Sequence, residues 1–250
     1  MKRATILVVF AILQFLATVA EAGEGLEKLY SAKAIVTGTG EKNRQPGFRD
    51  CLGNVILRVS GDQRLLKRSE MRNLLSSAGS FVRSFSYRDR LAGKPVHDEQ
   101  GTYDRPHDLT CYYDRDVVDR LLAMLGSRPW LALRPRMLVL LDVERYGKSY
   151  RVTQDNDRDE DMRVAFENAA RPLAMQIAFP TAENDPLSSN ESVLRGSLTW
   201  SDADLGWVAK WQLYSNKKAA PWEARGVNYD EAFRVAMRGA AQILSGNGQP

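Results

Sequence analysis

Hydrophobic positions along the chain alternate between two periods, and each predicts an element. Leu29 to Thr37 reads as a strand running into a Gly38-Thr39-Gly40 turn. Over 44–59, Phe48, Cys51, Leu52, Val55, Ile56 and Val59 repeat at helical spacing on one face. Ser60-Gly61-Asp62 ends that helix, with Gly61 free to take a left-handed cap. A second helix is predicted from Ser69 to Phe85, capped by Ser69 and striped by Met71, Leu74, Leu75, Ala78, Val82 and Phe85. Residues 87–108 have no period. Leu109, Cys111 and Tyr113 then alternate as a strand, and Val117, Val118, Leu121, Leu122 and Leu125 mark a helix closed by Gly126.

Ser127–Arg136 contains two prolines and reads as a link. Beyond it, Met137–Val143 is a nearly continuous apolar run, the mark of a strand covered on both faces. A helix follows at 159–171, ended by Pro172, then a strand at 173–179. Three strands follow at 193–200, 207–214 and 222–225. A last helix covers 229–244, with Asn228 as its N-cap and Glu231 at the capping-box position. The order β-α-α-β-α, link, β-α-β-β-β-β-α predicts an α+β fold of two small mixed sheet-and-helix domains, 23–126 and 127–250.

Composition changes this picture mainly at the N-terminus. Lys2 and Arg3 precede an uncharged apolar run over 4–20, and Ala20-Glu21-Ala22 offers a cleavage site. Residues 1–22 thus read as a cleaved secretory signal, which predicts a periplasmic product with no later membrane span. The formal net charge of +4 comes from interspersed charges with no basic block, so nucleic acid is not an expected partner. Export would place Cys51 and Cys111 where a disulfide persists, and the even count permits one bridge or two buried thiols.

Both histidines fall in one charged stretch, HDEQGTYDRPHDLTCYYD, residues 97–114. His97, His107 and Cys111 offer metal ligands, with Asp98 and Asp108 as ligands or orienting partners. The spacing matches no established metal signature, and Arg88, Arg90, Lys94 and Arg105 balance the carboxylates. The simpler reading is a charged loop, with Glu99, Asp104 and Arg105 as a contact surface. Gly38-Thr39-Gly40 lacks the third glycine of a dinucleotide fingerprint. Asp155-Asn156-Asp157-Arg158-Asp159-Glu160 lacks the glycine and glutamate of a calcium loop. Ser215-Asn216-Lys217-Lys218 matches S-x-x-K only in a hairpin turn, and no nucleophile elbow occurs. Trp200, Trp207, Trp211 and Trp222 crowd the late strands. Trp207 and Trp211 either pack under the final helix or present a glycan-binding surface. No cofactor is expected.

Several of these features together resemble a bacterial family, the domain of unknown function numbered 2066. They are Val59-Ser60-Gly61-Asp62, Gly126 before Pro129-Trp130, the apolar strand after Arg134-Pro135, and Trp207-Val208-Ala209-Lys210-Trp211 before a short tryptophan strand and a final helix. The resemblance implies an exported envelope protein with no assigned activity and no catalytic residues to carry over. The 87–108 stretch looks like an elaboration of the family's shorter connection. The expected role is non-catalytic binding or scaffolding of an envelope protein. A metal-assisted hydrolase built on His97–Cys111 and a glycan-binding module built on the tryptophan strands are the alternatives.

Overall fold

The computed structural model describes residues 27–93, 105–182, 192–215 and 218–250. The expected signal at 1–22, His97, Asp98, Glu99 and Asp104 lie outside them. The chain is α+β with two sheets. It divides into two compact units, residues up to Val55 with Leu75–Arg120, and Ile56–Leu74 with Leu121–Pro250. The segment Ile56–Leu74 therefore sits with the second unit, although it precedes the proline-rich link by more than fifty residues. Among the described residues no helix is long and apolar enough to cross a membrane.

The first unit holds a three-stranded antiparallel sheet of β1 (Ser31–Thr37), β2 (Ser84–Asp89) and β3 (Pro106–Tyr112), in the order β1-β3-β2. Ala32, Ala34 and Val36 of β1 point inward, and their small size lets helix α1 (Glu41–Ser60) approach closely. At Gly47 a Cβ would stand 2.5 Å from Val36 Cγ1 and 2.6 Å from Leu109 Cδ2, so that contact requires glycine. Asn54 Nδ2 donates to the Lys33 carbonyl at 3.2 Å and ties α1 to β1. Helix α2 (Ser69–Ser76) falls mostly in the segment that goes with the second unit, and α3 (Arg115–Met124) spans the division after Arg120.

The second unit holds β4 (Met137–Arg145), β5 (Lys148–Arg151), β7 (Ser192–Ser201), β8 (Gly206–Ser215) and β9 (Lys218–Val227), in the order β5-β4-β7-β8-β9. The short β6 (Ile177–Ala178) pairs with β4. β4 and β7 run parallel, joined through α4 (Glu160–Ala170), and the meander β7-β8-β9 leads to α5 (Tyr229–Leu244). Helices α4 and α5 cover one face. Phe166 lies 4.6 Å from Phe233 and 5.8 Å from Trp211, centroid to centroid. Asn228 caps α5 as expected, its Oδ1 accepting from Glu231 N at 2.8 Å. Val59-Ser60-Gly61-Asp62 is also structural. Gly61 has φ +71, Ser60 Oγ donates to Ile56 O, Asp62 Oδ1 accepts from Arg64 N, and Asn247 Nδ2 donates to Ser60 O.

Each half contains one strand more than its pattern predicts. The helix expected to run to Phe85 stops at Ser76, and residues 84–89 form β2. Ser77, Gly79 and Ser80 are weak helix formers, and Ser-Phe-Ser-Tyr alternates polar with aromatic. The strand β5 escapes notice because it has four residues and no apolar alternation. Its turn puts Tyr146 and Gly147 at φ 52 and 72, a primed hairpin turn normally written Asn-Gly. The strand expected at 173–179 shrinks to two residues, since Arg171–Leu173 form a 3-10 turn and Ala174 is left-handed at φ 53. β9 is longer than expected. Pro221 breaks its pattern, yet is tolerated because β9 is an edge strand.

Candidate functional site

The charged stretch is tied down where it is described. β3 begins at Pro106, so His107, Asp108 and Cys111 are all strand residues. Alternation sends His107, Leu109 and Cys111 to one side and Asp108 to the other. Four residues at about 3.3 Å each put His107 and Cys111 roughly 13 Å apart along the strand, with Leu109 between them. They therefore cannot share a metal ion, and Asp108 cannot orient the His107 ring. His107 Nδ1 lies 2.7 Å from the Arg105 carbonyl, and its ring meets Tyr87 edge-on. Asp108 takes Arg88 at 2.5 Å and Arg90 at 3.4 Å. Arg105 pairs with Asp89 at 3.3 Å and donates to the Leu91 carbonyl. Arg105, expected as a contact residue, thus ties the start of β3 to Asp89 at the end of β2 and to Leu91 just after it. Among the described residues no group of three His, Cys, Asp or Glu side chains is placed to hold a metal.

The cysteines meet in the first unit's core. Both are fully buried and unbridged in this structure. The Cys51 thiol contacts the Ala32 carbonyl at 3.5 Å and the Leu109 carbonyl at 3.9 Å. Hydrogen bonding to Cys111, then burial, pushes Cys51 far above the ordinary thiol range. Burial, then the neighbouring thiols, also raises Tyr113, whose hydroxyl meets no hydrogen-bond partner among the described residues. Thiols held protonated in a sealed core are poor nucleophiles. Iodoacetamide should leave both unmodified in the folded, reduced protein and label both on unfolding. Native labelling at the rate of an exposed thiol would contradict this placement.

The other singled-out motifs also resolve into structure. Gly40 O accepts from Asn43 N and Arg44 N at the start of α1. Asn156 caps the 3-10 turn at Asp157–Asp159 through Arg158 N. Ser215 and Lys218 face each other across the β8–β9 hairpin. Trp207 and Trp211 are buried at 6% and 2% exposure, so of the two readings it is packing under the helices that applies, and neither ring can form a contact surface. The reason is the parity of β8, which turns residues 207, 209, 211 and 213 toward α4 and α5.

Two shallow depressions of about 330 Å³ each mark the second unit. One lies on the sheet face away from the helices, among Asp142, Arg195, Ser197, Lys210 and Gln212. Its carboxylate is already held by Arg151 at 2.8 Å. The other is lined by Arg136, Glu167 and Arg171. Nearby, Arg134 stacks on Trp130 at 4.2 Å and donates to the Arg58 carbonyl, while its buried Nε has no partner among the described residues. Burial, then the neighbouring Arg58, pulls Arg134 down to about 10, so it stays charged at neutral pH.

The edge strand β2 is open to a partner chain. It lies at the edge of its sheet; Ser84, Ser86 and Arg88 are exposed on one face, while on the other Phe85 is 40% exposed and Tyr87 and Asp89 are half-buried. Arg90 N donates to Pro106 O, and the register pairs Ser84 with Tyr112, Ser86 with Thr110 and Arg88 with Asp108. Antiparallel alternation then turns the main-chain groups of Phe85, Tyr87 and Asp89 outward, away from β3. Proteins usually guard such an edge with charge, proline, irregularity, shortness or a cover. The other sheet edges have such guards: Asn54 bonds β1, β5 has four residues, and β9 carries Pro221 and an irregular register. Over Phe85-Ser86-Tyr87, β2 has no charge and no proline. The helical pattern reaching Phe85 hid this strand from sequence reasoning. The alternating aromatics of SFSY were the signal that could have revealed it.

Comparison with known proteins leaves the chain without an inherited activity. A search of curated proteins finds no match. One solved structure, described as the crystal structure of an uncharacterized protein, is 18% identical; the alignment covers 47% of this chain and 92% of that one at a TM-score of 0.22, which carries no argument. The model of a family described as domain of unknown function DUF8605 matches residues 24–131. It is a different family from the one that the Val59–Asp62 and tryptophan-strand pattern resembles. What the match supports is the coarser statement: residues 24–131 are similar to a domain of unknown function.

Proposed function

We propose that this chain is a non-catalytic binding module of the cell envelope, exported to the periplasm, that takes an extended segment of a partner protein onto the open edge of β2. The observation that carries this reading is the sheet edge over Phe85-Ser86-Tyr87, without charge, proline or, among the described residues, a covering element, and with main-chain groups turned outward. Strand addition uses those groups for affinity and alternate side chains for selection. Phe85 and Tyr87 meet edge-to-face at 5.7 Å, and Phe85 packs on Phe48 at 5.4 Å, giving the incoming strand a firm aromatic flank. The Arg105–Asp89 pair and the Asp108 carboxylate with its two arginines frame the far end. The export signal read at 1–22 supports the compartment.

A photo-crosslinking residue at exposed Ser86, introduced in living cells, tests this reading. The expected outcome is a discrete adduct to one protein that is absent when the crosslinker is at Ser149 of β5. No adduct at Ser86, or the same adducts at both sites, would contradict it.

A further inference from the structure

A separate feature lies in the second unit, at the proline-rich link Ser127–Arg136, and does not depend on the reading of β2. Leu133 is 96% exposed and Leu131 47%, with exposed Ala132 between them. Single exposed apolar side chains are ordinary, but three in succession on an irregular segment are not. The segment is also held from both sides. Trp130 N donates to the Val59 carbonyl at 2.7 Å, and Trp130 itself is buried. Arg134 stacks on the Trp130 ring and donates to the Arg58 carbonyl at 2.7 Å. Leu131–Leu133 is therefore a short apolar projection between two fixed anchors, so little ordering is needed for it to engage a surface.

The charge of the link itself has one sign. The link carries Arg128, Arg134 and Arg136 and no acidic residue. Arg136 and Arg171 line the adjoining depression, where Glu167 is the one carboxylate. Arg128, Arg136 and Arg171 are exposed. An apolar tip ringed by guanidinium groups matches an interface in which hydrocarbon lies behind a layer of phosphate. A soluble acidic protein would satisfy the arginines but would offer no continuous apolar layer for a leucine as exposed as Leu133. We infer that the Ser127–Arg136 link docks the protein on an anionic phospholipid bilayer, Leu131 and Leu133 entering the headgroup boundary and the flanking arginines contacting lipid phosphates.

Co-flotation with vesicles tests this, comparing pure phosphatidylcholine with the same lipid containing about one third phosphatidylglycerol. Wild-type protein should float with the anionic vesicles and not the neutral ones, and added salt should release it. The L131S/L133S variant should bind at least about tenfold more weakly. R128Q/R136Q should lose the preference for anionic lipid. All four positions are exposed and outside the core, so thermal midpoints should match wild type, which separates docking from folding. Because both variants keep the native N-terminus, adhesion of the apolar 4–20 run would show as unchanged binding in both. If either pair leaves binding unchanged, or wild type ignores lipid charge, the proposal is overturned.

Discussion

Gly196→Ala should destabilise the second unit by about 3 kcal/mol, a large effect for one methyl group. In β7 a Cβ at position 196 would stand 2.0 Å from Trp211 Cζ3 and 2.5 Å from its Cε3. Trp211 is 2% exposed and held edge-on by Phe166 and Phe233, so its ring has no free space to enter. Gly196 and Trp211 are cross-strand partners, and the missing side chain of one makes room for the other. Trp211→Ala should cost about 3–5 kcal/mol through the cavity it leaves. In that background Gly196→Ala should be nearly neutral, because the clash is gone, giving a strongly non-additive cycle. All five tryptophans lie in Leu121–Pro250, so fluorescence-monitored urea unfolding reports this unit; the single Gly196→Ala change should lower the thermal midpoint by roughly 6–12 °C. Additive effects would show that the ring does not occupy the glycine's space.

Asp159→Ala should cost about 3 kcal/mol in the same assay. Asp159 is fully buried. Its two oxygens take Arg158 Nε at 2.6 Å, Arg158 Nη2 at 3.0 Å and the Thr153 amide at 3.1 Å. Arg158 also lies over the Tyr150 ring at 3.7 Å. Removing the carboxylate strands the Thr153 amide in a buried position, whereas the partly exposed Arg158 can turn to water. Asp159→Asn keeps one acceptor and should cost about half as much. Equal losses for the two changes would show that packing matters here more than hydrogen bonding.

These two cases show what the pattern of the chain could and could not reveal. Tryptophans 207 and 211 on one strand face predict a packed interface with the final helix, and both are in the core. The value of Gly196 cannot be read from order along the chain, since it depends on which residue of β8 lies opposite. Asp159 looks like one acid among several in a failed calcium motif; its burial follows from the path of the loop after β5, a strand too short to register as a pattern. The α1 face and the α5 cap are legible because helix periodicity and capping are local. β2 is not, because Ala78, Val82 and Phe85 continue a helical spacing after Ser77 and Gly79 have broken the helix. The histidine stretch was misleading for the same local reason. Composition gathers His107, Asp108 and Cys111, while strand alternation and spacing separate them.

The central claim, that a partner strand adds to the edge of β2, turns on one main-chain group. Phe85→Ala and Phe85→Pro both remove the ring, but only proline also removes the N–H that points away from β3, and it leaves the ladder to β3 intact. With the crosslinker at Ser86 in both variants, the adduct should persist in Phe85→Ala and disappear in Phe85→Pro. An adduct of equal yield in the two would contradict strand addition at this edge.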